Sequence, residues 1–354
     1  MRPRIIISKV TNPKDVNTKV SESLNILSVT FDDDDFVAIK PNLCDYRPPE
    51  QGGTTDPKIV EAIITFIRKQ SSCKIAIIES NHALATADEE FQRMNYRYLE
   101  DKFDKVSLIN LSTDKQHQIE VEGYYFSELT VAETLLKMTK YINVAKLKTH
   151  TQTRITCILK NQFGLVSRRY KKRYHHSLSE VLLDLVELFP PDISVIDGLY
   201  AMEGAGPSDG DVKKTDILLF GDDPFATDVV AAKIMGIKPS SVPVLKLAKR
   251  KNISDLEYEV INDLPNFNFK QVPWYSFAVR RFGLKYQKQA TKRYNKKKGR
   301  AKFLSDVAAG FIVIRQGKYS TLQSGLIDRR IFWRVVMSII RRPSVLINHK
   351  LKGI

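Results

Sequence analysis

Residues 36–79 read FVAIKPNLCDYRPPEQGGTTDPKIVEAIITFIRKQSSCKIAIIE. A short apolar run ends in Lys40, an amphipathic stretch covers Pro57–Lys69, and a second apolar run covers Lys74–Glu79. Asp56 before Pro57 is a helix-start signal. The acid can accept from the unpaired N–H groups of the first turn, and proline presets the backbone at the first helical position. Strand, helix and strand at this spacing make a βαβ unit, which requires parallel strands.

The pattern repeats in both directions. Further strands are predicted at Arg4–Val10, Val106–Leu111, Tyr141–Lys148, Ile193–Asp197 and Asp216–Phe220, and further helices at Ser177–Phe189 and Pro224–Met235. The fold class that follows is α/β: a mostly parallel twisted sheet with helices on both faces. Beyond about Asn252 the alternation fades. Pro265–Pro273 reads as a linker, and the remainder as a basic, aromatic-rich helical extension. The expected domains are residues 1–262, an α/β body, and 263–354, the extension.

Charge separates the two. Residues 265–354 carry 21 Lys and Arg against Asp306 and Asp328, whereas the preceding 264 residues carry 35 against 38 acids. A near-neutral body with a basic tail suits a protein held near a polyanion. The three cysteines, Cys44, Cys73 and Cys157, form no C-x-x-C pair, so an iron–sulfur cluster or a thiolate zinc site is not expected. An odd, small cysteine count points to a reducing cytoplasm. Residues 1–8 are read as the first strand rather than a leader, and no apolar run approaches the ~20 residues needed to span a bilayer.

Several strands end in polar residues: Lys40 and Asn42, Glu79, Lys146 and Lys148 before His150, and Asp197. In a parallel sheet these ends share one edge, where ligands bind. Lys40, Lys146, Lys148 and Lys160, with Asn42, Thr55 and Asn161, are the expected binding groups for a small anionic or phosphorylated substrate. Gly204 and Gly206, which flank Ala205, could form an anion-binding nest. Thr55 could present its hydroxyl at a helix N-terminus or simply take part in capping. Glu79 and Asp197 are the candidate proton-transfer carboxylates, and His150 is the histidine to test as an acid–base group. Glu203 and Asp228 are candidate ligands for Mg²⁺. The competing reading is a set of salt bridges closing the mouth of the sheet. No dinucleotide fingerprint and no G-x-x-x-x-G-K loop is present.

The ordered set Lys40-Pro-Asn42, Thr54-Thr55-Asp-Pro, Asn143-Val-Ala-Lys146-Leu-Lys148-Thr-His150, Lys160-Asn161-Gln-Phe-Gly164, Asp197-Gly198, Glu203-Gly-Ala-Gly206-Pro and Asp222-Asp223-Pro224…Asp228 closely resembles the family of domain of unknown function 362, over roughly residues 36–250. Some members of that family carry ferredoxin-like cysteine motifs; this chain has none. The resemblance supports the domain and the site, and it implies no reaction.

In the extension, Trp274–Tyr286 and Ile331–Arg342 mix aromatic and aliphatic residues with arginine. Such segments lie in anionic membrane surfaces, so residues 274–342 are expected to bind one. Nucleic-acid binding is the less favoured alternative, and a basic helical cap on the body is another. The reading is a cytoplasmic protein, peripheral to a membrane, that binds a small anion or acts on it as an enzyme. Its alternatives are a non-catalytic anion- or redox-partner-binding module, or nucleic-acid binding through the tail.

Overall fold

The computed structural model describes residues 2–271, apart from 44, 84, 168–170 and 254–256. The tail from residue 272 onward, with its membrane and nucleic-acid readings, lies outside the described residues.

The strands are β1 (Arg4–Lys9), β2 (Phe36–Pro41), β3 (Lys74–Glu79), β4 (Val106–Asn110), β5 (Gln116–Glu120), β6 (Glu128–Ala132), β7 (Lys140–His150), β8 (Arg154–Ile155), β9 (Ile193–Glu203), β10 (Asp211–Gly221) and β11 (Glu259–Ile261). The helices are α1 (Val16–Ile26), α2 (Pro57–Arg68), α3 (Ala87–Arg93), α4 (Tyr98–Lys102), α5 (Glu133–Lys137), α6 (Ile158–Asn161), α7 (Leu178–Leu188), α8 (Pro224–Ile234) and α9 (Pro243–Arg250).

The main sheet runs β11-β1-β10-β9-β7-β2-β3-β4, with β8 paired to β7. From β9 to β4 every pairing is parallel, and β10 runs antiparallel between β9 and β1. Strands buried on both faces need apolar side chains throughout, which is why β2, β3 and β7 read as near-continuous apolar runs. Their alternate residues supply two cores. Ala38, Ile78 and Ala145 pack with Leu159, Val181, Val230 and Leu245 from α6, α7, α8 and α9. Val37, Ile77 and Val144 pack with Val20, Ile63 and Leu99 from α1, α2 and α4.

The predicted caps are in place. Asp56 accepts the Lys58 N–H at 2.9 Å, and Asp223 accepts the Ala226 N–H at 2.6 Å. Two elements differ from the sequence reading. β9 does not end at Asp197 but continues to Glu203, pairing with β10 as a hairpin while still running alongside β7, with Lys148 opposite Met202. The stretch read as a linker is, in its described part, attached to the body. Phe267 and Phe269 donate their N–H groups to the carbonyls of Ile234 and Met235 at 2.8 and 3.0 Å, and Phe269 is buried.

Candidate functional site

β2 and β7 are neighbours, with Lys40 opposite Asn143 in their register. After β2 the chain turns toward α2 and one core; after β7 it turns toward α6 and the other. The two strands therefore diverge to opposite faces at their C-terminal ends. Such a topological switch point is where an open α/β sheet offers a crevice to a ligand.

Lys40 lies on the α6 side and is fully buried. Its Nζ donates to Glu79 Oε2 at 2.8 Å and to the Pro41 carbonyl at 3.0 Å. Asn161, at the end of α6, links the surrounding groups. Its Nδ2 donates to Asn143 Oδ1 at 2.8 Å and to the Lys40 carbonyl at 3.3 Å, and its Oδ1 accepts from Asn42 Nδ2 at 3.0 Å. Asn42 donates its N–H to Thr55 Oγ1 at 2.9 Å, and that hydroxyl donates to the Val144 carbonyl at 2.9 Å. Gly164 is pressed against this group: a Cβ there would meet the end of Lys40 and lie 2.7 Å from Glu79 Oε1.

Lys146 and Lys148 both reach the loop between β2 and α2, residues 42–56, which places them on one face as their spacing predicts. Lys146 Nζ donates to Asp197 Oδ2 at 2.8 Å and to the Pro49 carbonyl at 3.2 Å. Lys148 Nζ donates to the Gly53 carbonyl at 2.7 Å. Asp197 also accepts the N–H of Asp56 at 2.9 Å. Burial pushes the Asp56 carboxyl above its ordinary range, and the charge of Asp197 adds to the shift. Gly52 adopts φ +72° in this loop, and a Cβ there would lie 2.8 Å from the Ala201 carbonyl carbon, so the loop follows β9 closely. Arg47 ties it to the hairpin turn by donating from Nη1 to the Gly210 carbonyl at 2.8 Å.

Lys40, Asn42, Thr55, Glu79 and Asn161 thus form one network, and Lys146, Lys148 and Asp197 bond the same loop at Pro49, Gly53 and Asp56. The other candidates are engaged elsewhere. Glu203 accepts from Lys213 Nζ and the Lys270 N–H, both at 3.0 Å. Burial acts to raise its pKa, but these donors outweigh it and hold the carboxyl low. Asp228 caps α6, accepting the N–H groups of Ile158 and Leu159 at 2.7 and 3.1 Å, and burial pushes it up to about 7. The two proposed Mg²⁺ ligands therefore serve separate structural tasks. Among the described residues, no three His, Cys, Asp or Glu side chains converge as a metal-binding group.

His150 Nδ1 accepts the N–H groups of Gln152 and Thr153 at 2.9 and 3.2 Å, closing the turn into β8. Lys160 lies with Nζ 4.5 Å from the centroid of the Phe163 ring. The N–H of one of the two glycines is already engaged. Gly204 donates its N–H to the Lys270 carbonyl at 2.7 Å, and Gly206 allows close approach to Thr149, whose carbonyl carbon would lie 2.8 Å from a Cβ.

Sequence reasoning missed Asn143, Asp45 and Asp56 as members of this rim. Asn143 is a polar residue inside a buried strand, which was a usable signal. Asp56 was read only as a cap. Asp45 lies in an irregular loop where polarity is ordinary.

Comparison with known proteins bears on the family. The chain is similar to the thylakoid-associated protein sll1697 of Synechocystis, 25% identical over 233 residues that make up 64% of this chain and 71% of that protein. Among solved structures it is similar to the lactate racemase apoprotein of Thermoanaerobacterium thermosaccharolyticum, 11% identical with a TM-score of 0.36, over 67% of this chain and 57% of that one. The chain thus spans less than two thirds of that structure's length. The family model of the domain of unknown function DUF362 matches residues 37–233, from β2 into α8 and therefore across the whole rim just described, and this chain belongs to that family.

Proposed function

We propose that this protein binds a small anionic molecule at the β2–β7 switch point. In this reading Lys146 and Lys148 hold the anion's charge, and Asn42, Thr55 and Asn161 fix the shape of the site. The observation that carries it is that Lys40, Lys146 and Lys148 are all 0% exposed at one strand-end rim. A buried ion pair adds little net stability, because desolvation offsets most of the attraction. Apolar side chains of similar volume would fill the same space at less cost. Cations kept at a switch point are better accounted for by a ligand of opposite charge.

The carbonyls of Pro49 and Gly53 cap the two ammonium groups, and a ligand oxygen would replace them as loop 42–56 shifts. In this reading Asp197, with Asp56 beside it, exchanges a proton with the bound molecule. Lysine, rather than carboxylate-held Mg²⁺, meets the anion's charge. The test is calorimetric titration of the full chain with acetate and inorganic phosphate, alongside Lys146→Met and Lys148→Met. The expected result is binding that weakens at least tenfold in both variants while the circular dichroism spectrum is retained. No anion binding by the parent chain, or unchanged binding in both variants, would overturn the proposal.

A second reading concerns location. The similar Synechocystis protein is described as thylakoid-associated, and residues 265–354 of this chain carry 21 basic residues against two acids. Both favour peripheral attachment of a cytoplasmic protein to an anionic membrane. No described helix is long and apolar enough to cross a membrane. Sedimentation of the full chain with phosphatidylglycerol vesicles should exceed that with phosphatidylcholine vesicles. It should fall with salt and with joint Lys296→Glu, Lys297→Glu and Lys298→Glu substitution. Equal sedimentation with both lipids counts against it.

A further inference from the structure

We infer that Asp45 faces the ligand at this rim, and that the bound molecule carries a hydrogen-bond donor, a hydroxyl or an ammonium, beside its anionic group. The inference rests on the anion-binding reading above and adds to it the chemical class of the ligand.

Asp45 is 1% exposed. Its Oδ1 accepts the Arg47 N–H at 3.3 Å, while its Oδ2 is buried and has no hydrogen-bond partner. Buried carboxylate oxygens are normally satisfied, so an orphan of this kind calls for a reason. The charge of Lys148 acts on Asp45, but Lys148 directs its Nζ to the Gly53 carbonyl at 2.7 Å.

Elementary chemistry then restricts the occupant. An ionised carboxylate oxygen only accepts, so its partner must donate. In the anion-binding reading, Lys148, whose charge acts on Asp45, meets the ligand's anionic group. A molecule with a donor next to its anionic group meets both demands. A simple anion would meet Lys148 but face Asp45 with like charge, so the same residue also discriminates against such ligands. Burial raises the Asp45 pKa, with Lys148 and Arg47 opposing, which is the electrostatic cost of a carboxylate awaiting a partner.

Two matched pairs of probes test this on the full chain: acetate against glycolate, and ethyl phosphate against phosphoethanolamine. Calorimetry is expected to give at least tenfold tighter binding for the donor-bearing member of one pair. Asp45→Asn should reduce that ratio at least fivefold, weakening the donor-bearing member and tightening the donor-free one, from which it removes a like charge. Because Oδ2 has no partner in the protein, Asp45→Asn is also expected to keep or raise the thermal midpoint. Equal binding within both pairs would sink the inference and leave the anion-binding reading standing. Failure of all four probes to bind would sink both. A ratio that persists in Asp45→Asn, or a fall of the midpoint by more than about 5 °C, which for a chain of this size exceeds ~1 kcal/mol, would assign Asp45 to the fold instead.

Discussion

Lys146 and Asp197 face each other in the register of β7 and β9, their Nζ and Oδ2 atoms 2.8 Å apart and both side chains 0% exposed. Neighbouring parallel strands bring them together, and no solvent screens them. The consequence is asymmetric. Removing either partner leaves a buried charge alone and costs about 3–5 kcal/mol. Lys146→Met and Asp197→Leu should each lower the urea midpoint by that equivalent, and the double substitution should recover most of the loss. An additive double variant would contradict a tightly coupled pair.

Asp228 gives the molecule a pH dependence of defined sign. Its carboxyl is pushed from 3.8 up to about 7, chiefly by burial and against the two N–H groups it accepts from α6. The folded state therefore holds the proton more tightly than the unfolded chain. This contribution is fully present below pH ~4, declines as pH rises toward 7, and amounts to about 4 kcal/mol at most. Asparagine cannot titrate. The stability of the parent chain relative to Asp228→Asn, followed by urea unfolding from pH 4 to 8, should fall across that window and level off above it.

Gly164 is required by space rather than by backbone angle. A methyl group at this position would press on Lys40 and come within 2.7 Å of Glu79 Oε1. Neither side chain can retreat, because each is buried and bonded to the other at 2.8 Å. Gly164→Ala should destabilise by about 1–3 kcal/mol in chemical unfolding, the usual range for overpacking. Pairing it with Glu79→Gln should not restore the loss, since the clash is steric.

Much of this architecture is visible in the sequence because local rules and global fold agree. The βαβ unit over 36–79, the Asp-Pro helix starts and the lysine-bearing strand ends all survive in three dimensions. The pairing of those ends is not visible. Lys40 meets Glu79 because β2 adjoins β3, and Lys146 meets Asp197 because β7 adjoins β9, and strand order is a property of the whole chain. The partners of Glu203 were hidden for a related reason: β9 runs on past Asp197 as one arm of a hairpin, where Glu203 is buried and bonded to Lys213 and Lys270. α1 escaped notice because only four of its eleven residues, Val16, Val20, Ser23 and Leu24, are buried. Its apolar stripe is too thin for a clear helical period.

Asn161 shows how specific the rim is about donor and acceptor. Its Nδ2 faces three acceptors, Asn143 Oδ1 at 2.8 Å and the carbonyls of Lys40 and Pro41 at 3.3 and 3.5 Å. Its Oδ1 takes the Asn42 amide at 3.0 Å. Asn161→Asp keeps the shape but turns an oxygen toward those acceptors, a misfit unless the carboxyl is protonated. The introduced group should therefore have a raised pKa in the folded state. Its penalty relative to the parent should be smallest near pH 4 and grow toward pH 7, whereas Asn161→Ala should carry a loss that hardly varies with pH. Urea midpoints for both variants across that range provide the measurement. An Asn161→Asp penalty that shrinks with rising pH would mean the amide is flipped, with its oxygen toward Asn143.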